Sequence, residues 1–399
     1  MSANVEDEGK GAAKYFLQEI RGINSQSFEN DGDRMKALLE VYAMMARLES
    51  PWETLVRLCM IQPALGAALK ISKDLQLFEK WSEKGAEAMT SGQLAEVVGG
   101  SCEPGLLYRL LRLLASNHLI EETSIGSFKQ THFSSAITTP VFDGLIHSFN
   151  DVNLPLFAKM ADFFAETGYK NPQDSEQTVF QYAHGWNGNL WSYYEAHPEK
   201  QQQFNVIQQT ISAQQPAWTD IFPAHTLLEV DSGLPLLVDV GGSTGHDLLK
   251  FYNAHPETAS LLYLEDLESV IQKAELPESI NKIAYNFFNP QPVMGARAYF
   301  MHSILHDWSD ESARTILSMQ KNAMTPGFSK LLIHDHIVPE SLAHPQATAF
   351  DFQMMAMVAG QERSERHWRA LLESVGLRVV RIWTLESAVH SIIEAEATI

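Results

Sequence analysis

His306 is the side chain best placed in the chain to move a proton at neutral pH, since an imidazole titrates near about 6.5. It lies in Phe300-Met301-His302-Ser303-Ile304-Leu305-His306-Asp307-Trp308, just past the apolar run Ala298–Ile304, which reads as a strand. The carboxyl end of a strand is the edge of an open α/β sheet at which ligands bind. A histidine base needs an acid to orient it. Two are available: Asp335, at the end of the next predicted strand, and Glu362, in the loop Ala359-Gly360-Gln361-Glu362-Arg363. His306, Asp335 and Glu362 are the candidate catalytic set.

A second group of residues suits a nucleotide-like ligand. Leu236-Leu237-Val238-Asp239-Val240 reads as a buried strand and runs into Gly241-Gly242-Ser243-Thr244-Gly245, after which Asp247-Leu248-Leu249-Lys250-Phe251 begins a helix. Glycines at such a junction let the backbone approach a ligand closely. The spacing D-x-G-x-S-x-G differs from the dinucleotide pattern G-x-G-x-x-G. Asp239 can accept from an ammonium or hydroxyl group. A ribose needs an acidic acceptor about 20 positions beyond the turn, where Asp266 stands, with Glu265 as its rival. Asn286 and Phe287 follow the third predicted strand and offer an amide and an aromatic face for a purine. The cofactor set is Asp239, Gly241, Gly242, Ser243, Gly245, Asp266, Asn286, Phe287 and Ser303. His334, Asp335 and His336 raise a metal site, but alternation along a strand separates Asp335 from the histidines and no third ligand has obvious spacing, so no metal is expected.

These residues need a sheet to bring them together. Predicted strands at Leu236–Val240, Leu261–Glu265, Ile283–Asn286, Ala298–Ile304, Leu331–Asp335, Arg378–Trp383 and Val389–Glu394 are mostly separated by helical runs, among them Ala313–Met324 and Arg366–Val375. Repeated βα units imply a doubly wound parallel sheet. The short link between the last two strands predicts an antiparallel hairpin at its edge.

Upstream, Met1–Gly32 is polar and expected to be partly disordered, with a short helix over Ala12–Arg21. Arg34–Arg47 and Leu55–Leu77 have helical apolar spacing. Ser91 is a candidate N-cap for a helix before Pro104–Leu114, and Leu119–Glu122 and Phe128–Thr131 form a predicted hairpin about Gly126. That order is a winged helix. Nucleic-acid binding is set aside, because the second helix carries only Arg109 and Arg112 and the chain has a formal charge of −20. Asp151–Ala224 is rich in aromatic residues suited to an apolar pocket. The resulting segments are an arm at 1–50, a winged-helix dimerisation domain at 51–150, a helical connector at 151–228 and a ligand-binding α/β domain at 229–399. No uninterrupted apolar run is long enough to span a bilayer. The acidic start lacks a signal pattern, and two cysteines suit a reducing compartment. A cytoplasmic protein is expected.

Taken together, the chain resembles the small-molecule O-methyltransferases of the caffeic-acid type, in particular their fungal secondary-metabolite branch. Val238–Gly245 resembles their S-adenosylmethionine loop and Asp266-Leu267-Glu268-Ser269-Val270 their ribose segment. Leu305-His306-Asp307-Trp308-Ser309-Asp310 resembles their catalytic-histidine signature. Glu362-Arg363-Ser364, Trp368, Leu371-Leu372 and Gly376-Leu377 resemble their C-terminal tail. The likeness runs from about Leu55 to the end. It implies a class I methyltransferase fold, an α/β Rossmann-like sheet with one reversed strand, preceded by a mostly α winged-helix domain in a homodimer. It implies S-adenosylmethionine as cofactor and His306 as base, flanked by Asp335 and Glu362. It implies Asp266 on the ribose and Phe287 on the adenine. Ser243 replaces a glycine, Glu268 a proline, Asn286 an aspartate and Gln208 a methionine, and His302 stands where a basic residue is usual. The expected reaction is methyl transfer to a phenolic or enolic hydroxyl of an aromatic or polyketide-like small molecule. The alternatives are a pericyclase or dehydratase of the same fold that keeps the cofactor, and a non-catalytic regulatory protein.

Overall fold

The computed structural model describes residues 15–85, 87–214, 216–229, 233–385 and 389–398, with side chains 140–141 and 208–214 excepted. The apolar runs of its C-terminal part form one seven-stranded sheet. Its strands are β1 (Leu237–Val240), β2 (Leu262–Asp266), β3 (Asn281–Ala284), β4 (Ala298–His302), β5 (Lys330–Asp335), β6 (Leu377–Trp383) and β7 (Ser391–Ala397). Their spatial order is β6-β7-β5-β4-β1-β2-β3. Neighbours from β5 through β3 are parallel, and β7 runs antiparallel to both β5 and β6.

The expected α/β class, reversed strand and antiparallel edge hairpin are therefore present, with one local difference. The reversed strand is β7, the inner member of that hairpin. β7 inserts between β5 and β6 because Ile392, Ile393 and Ala395 are buried on both of its faces, whereas β6 exposes Arg378, Val380 and Arg381. The third strand ends at Ala284 rather than Asn286, since the Asn286 side chain accepts from the Phe288 N–H at 3.0 Å and closes a turn.

Alternation along the strands builds two cores. Val238, Val240, Tyr299, Met301, Leu331 and Ile333 meet Trp368, Leu371 and Leu372 of helix Glu365–Ser374. Leu237, Phe300, Leu332 and Ile392 face the other way, onto Trp218 and Phe251. A short parallel ladder between Ile337–Val338 and Arg363–Ser364 carries the chain back to the end of β5. Ser364 then caps helix Glu365–Ser374 by accepting from the His367 N–H at 3.3 Å.

The chain divides into two compact units, Met1–Ala67 and Ala68–Ile399. In the smaller one, Tyr15–Glu19 is helical, within the expected helix Ala12–Arg21; residues 1–14, which include the start of that helix, lie outside the described residues. Helix Asp31–Leu48 is capped by Asn30, which accepts from the Asp33 N–H at 2.9 Å. A second helical run starts at Pro51, behind a capping box between Ser50 and Glu53, and makes a π-turn at Arg57–Ile61. Neither helix buries a residue up to Ile61, and Leu38, Leu39, Val41, Tyr42, Leu55 and Leu58 are exposed. The run Pro51–Asp74 is long and apolar enough to cross a membrane by length and composition alone, although Glu53 and Arg57 interrupt its apolar sequence.

In the larger unit, helix Leu77–Glu83 is followed by a three-stranded antiparallel sheet in which Ser127–Gln130 lies between Met89–Thr90 and Ile120–Ser124. Thr90, not Ser91, caps helix Ser91–Val97: its hydroxyl accepts from the Gln93 N–H, and the Gln93 side chain returns the bond to the Thr90 N–H at 2.8 Å. Helix Pro104–Ser116 buries Leu107, Leu110, Leu111 and Leu114. The aromatic segment packs Phe163, Phe180, Tyr193 and Tyr194 against Ala356, Met357 and Val358, the last turn of helix Pro345–Val358. It thereby holds the helix that leads into the Glu362 loop.

Phe300 is fully buried and packs on Trp218 with ring centroids 4.8 Å apart. Phe300→Ala should cost about 3–5 kcal/mol of stability by chemical denaturation. A loss under about 1 kcal/mol would mean that this face of the sheet is loosely packed.

Candidate active site

β4 ends at His302, and the chain turns through a single 3₁₀ turn, Leu305–Asp307, that carries His306. The loop after helix Pro345–Val358 meets this turn. The Gln361 N–H donates to the His306 carbonyl at 2.9 Å, and the Glu362 N–H donates to Asp351 Oδ1 at 2.8 Å. Ala359 adopts φ 58°, and Gly360 follows it. A Cβ on Gly360 would stand 2.2 Å from the His306 carbonyl oxygen and 3.0 Å from Asp307 backbone atoms, so no other residue fits.

Arg363 locks the two segments together. Its guanidinium is fully buried and donates to the carbonyls of Leu305 and Trp308, both at 2.7 Å, and to Asp310 Oδ1 at 3.0 Å. Asp310 also accepts from the Gln361 side chain at 2.7 Å and lies 2.8 Å from His367 Nε2. Arg363 had no assigned role in the sequence reading, although its place beside Glu362 was the available signal.

Within this frame, His306 Nδ1 lies 3.0 Å from Glu362 Oε1. A carboxylate only accepts, so the Nδ1 proton is fixed and Nε2 is left as the basic nitrogen. Asp335 stays 4.0 Å from Nδ1 and acts on the ring through its charge, while Asp307 lies 3.6 Å from Nε2. Burial alone would lower the imidazole's affinity for a proton. Asp307, Asp335 and Glu362 outweigh it and push His306 up to about 10. Burial pushes the Asp307 carboxyl up to about 6, against the pull of the His306 charge. The ordinary histidine value assumed from sequence is thus replaced by a strongly basic one.

The cofactor candidates gather at the carboxyl ends of β1, β2 and β4 and just beyond β3. Gly241 (φ 71°), Ser243 (φ 54°) and Gly245 (φ 88°) all have left-handed backbones, which in Ser243 is strained. The Gly241 and Gly242 N–H groups donate to the Glu265 carbonyl at 2.8 and 3.1 Å, and Asp266 Oδ2 accepts from the Ser243 N–H at 2.8 Å. A Cβ on Gly242 would come within 2.4–2.6 Å of the Asp239 carboxyl and Leu264. Asp239 is buried beneath the turn, its Oδ2 has no partner, and burial raises its pKa well above the carboxylate norm. Glu265 is fully buried against Gln291 and pushed up to about 7 by burial, so it does not compete with Asp266 at the rim. Phe287 lies near the Gly241 turn and meets Trp308 edge-on at 5.8 Å. Asn286 is exposed beyond β3, and Ser303 hangs from the His334 carbonyl at 3.0 Å. The Gln208 side chain lies outside the described residues.

Among the described residues, two groups have the composition of metal ligands. One is His306, Asp335 and Glu362; the other is His302, His334 and His390. His334 and His336, paired by strand alternation in the sequence reading, part company. β5 ends at Asp335, and His336 Nδ1 approaches Glu362 Oε2 at 3.7 Å instead.

A family described as the O-methyltransferase domain matches residues 157–378. The chain is 54% identical over 382 residues, 96% of its length and 95% of the relative's, to the O-methyltransferase mfmE of Annulohypoxylon moriforme. Its fold matches that of LepI in complex with S-adenosylmethionine at TM-score 0.81 and 27% identity, covering 98% of this chain and all of the other. It also matches a structure described as a pericyclic reaction enzyme at TM-score 0.80 and 27% identity, with the same coverage.

Gly360→Ala tests the joint between the two catalytic segments. The clash is with backbone and cannot be relieved by a side-chain rotation. Turnover should fall at least about 10²-fold, as for misplaced groups at a site, and the melting temperature should drop as well, since overpacking costs about 1–3 kcal/mol. Retained turnover would mean that the loop can move without disturbing His306.

Proposed function

The chain belongs to the O-methyltransferase family, and from that premise we propose that it transfers a methyl group from S-adenosylmethionine to a phenolic or enolic hydroxyl of a small secondary metabolite. The observation that carries this reading is the 3.0 Å contact between His306 Nδ1 and Glu362 Oε1 at the ligand edge of the sheet.

The residues at the glycine turn suit the cofactor. Gly242 has no room for a side chain, Asp239 Oδ2 is buried without a partner, and Asp266 stands at the rim with lone pairs to spare. Gly241, Gly242, Ser243 and Gly245 would pass close to it, with Ser303 on the neighbouring strand end. Asp239 would accept from its ammonium and Asp266 from the ribose hydroxyls. Phe287 would face the adenine and the Asn286 amide its exocyclic amine. Bound there, S-adenosylmethionine supplies an activated methyl on a good leaving group.

His306 acts on the acceptor. A phenol titrates near about 10, which matches the His306 value of about 10, so the proton passes from hydroxyl to Nε2 at little cost. Glu362 holds the ring and, with Asp307 and Asp335, stabilises the imidazolium that forms. The same three carboxylates support proton abstraction over the pericyclic alternative, in which shape and the cofactor's charge need no base. Mass spectrometry separates the two: methyl transfer makes a product one CH₂ heavier, and a pericyclic reaction leaves the mass unchanged.

The aromatic segment at 151–228 would line the substrate pocket beside the α/β domain at 229–399. The segment at 51–150, with its three-stranded sheet and capped helices, fits a winged helix used for dimerisation rather than nucleic-acid binding, and residues 1–50 fit an arm. The exposed apolar face of helices Asp31–Leu48 and Pro51–Val56 is best explained by a second copy of the chain rather than a membrane. Cys59 and Cys102 are free, which suits a cytoplasmic enzyme.

His306→Ala should lower turnover by about 10²–10⁴-fold with cofactor affinity nearly unchanged. The neutral ring is the base, and a raised pKa keeps it protonated at neutrality. The rate should therefore climb with pH from neutral toward about 10. Glu362→Gln removes one of the charges that raise it and should move the inflection to lower pH. Full turnover in His306→Ala, or a flat profile above neutrality, would overturn the base assignment. Light scattering should report a dimer at micromolar concentration, and a particle of 44.7 kDa would exclude it.

A further inference from the structure

Three histidines far apart in the chain converge where β4 and β5 end and β7 begins. His302 ends β4, His334 lies next to it on β5, and His390 immediately precedes β7. The His302 and His334 rings stack with centroids 4.0 Å apart, and His390 stands edge-on to both at 5.5 Å. One ring nitrogen of each lies within 4.8 Å of one from each of the others. His302 Nε2 and His390 Nδ1 are within hydrogen-bond reach at 3.3 Å, which is also close to the roughly 3.3 Å between two nitrogens on a tetrahedral ion with bonds of about 2.0–2.1 Å.

Two further observations point to a ligand. His302 Nδ1 lies 2.6 Å from Asp247 Oδ2. The carboxylate takes the Nδ1 proton's hydrogen bond, so Nε2 presents its lone pair toward His390. A carboxylate behind an imidazole is the usual outer shell of a metal-bound histidine. His334 is 2% exposed, and its Nδ1 is buried with no hydrogen-bond partner.

We propose that His302, His334 and His390, backed by Asp247, bind one divalent cation of borderline softness, with zinc as the type, leaving a fourth position for water or a ligand atom. Three neutral imidazoles select such an ion over magnesium or calcium, which prefer oxygen. Asp247 is held in turn by Lys250 at 3.1 Å. The bound ion would tie the ends of β4, β5 and β7 to the first turn of the helix that follows the glycine turn.

The test uses the full chain, purified without a histidine tag and stripped with a chelator, then titrated with Zn²⁺ against a chromophoric competitor. One ion per chain should bind. His390→Asn should weaken binding at least tenfold, and Asp247→Asn by about 10–100-fold. Glu362→Gln, in the His306 group, should leave zinc affinity unchanged. Co²⁺ should give visible absorption bands that His390→Asn removes. Near-ultraviolet circular dichroism checks the fold of each variant; His390 is only partly buried, and asparagine is a small change there. The proposal is overturned if no stoichiometric binding occurs, or if Glu362→Gln abolishes binding while His390→Asn does not, which would place the ion at His306.

Discussion

A buried guanidinium holds the His306 turn and the Glu362 loop in register. Arg363 has no solvent to share its charge, so every donor must find an acceptor within the protein. It finds them on the turn that carries His306: the carbonyls of Leu305 and Trp308, and the carboxylate of Asp310. These bonds set the distance between two segments that belong to different parts of the fold. Glu362, one residue before Arg363, is placed against His306 as a consequence. The aromatic helices reinforce the arrangement from behind by packing on the last turn of helix Pro345–Val358.

That frame creates an electrostatic site with one cationic centre and three carboxyls around it. In an isolated peptide, His306 would be neutral at physiological pH. In the folded chain, Asp307, Asp335 and Glu362 make its protonated form the stable one despite burial, while burial raises Asp307. The geometry therefore does more than orient a ring: it raises the proton affinity of the imidazole. Glu362 contributes through contact, whereas Asp335, at 4.0 Å, contributes through the field.

The glycine turn is constrained in a different way. Its tight path is dictated by what lies beneath it, since Gly242 sits directly on the Asp239 carboxyl. Ser243 takes a left-handed backbone that a glycine would accept without strain. The hydrogen bond from its N–H to Asp266 holds it there and links the turn to the end of β2. The departure from the family's glycine is thus accommodated locally.

The order of residues by itself determined the sheet strands, the helices that separate them, the glycine turn, His306 and the short list of acids near it. Each of these depends on periodicity or spacing over a few residues, which the chain carries locally. It also marked the apolar faces of the N-terminal helices. The tertiary structure alone decided which acids reach His306: Glu362 makes contact across 56 positions of sequence, Asp335 does not, and Asp307 joins from the adjacent position. It decided that Gly360 must be glycine, because the obstructing atom belongs to His306. It also placed β7 inside the sheet and joined His302 to His390 across 88 positions. Such meetings depend on strand order and on where each strand ends, and local spacing encodes neither.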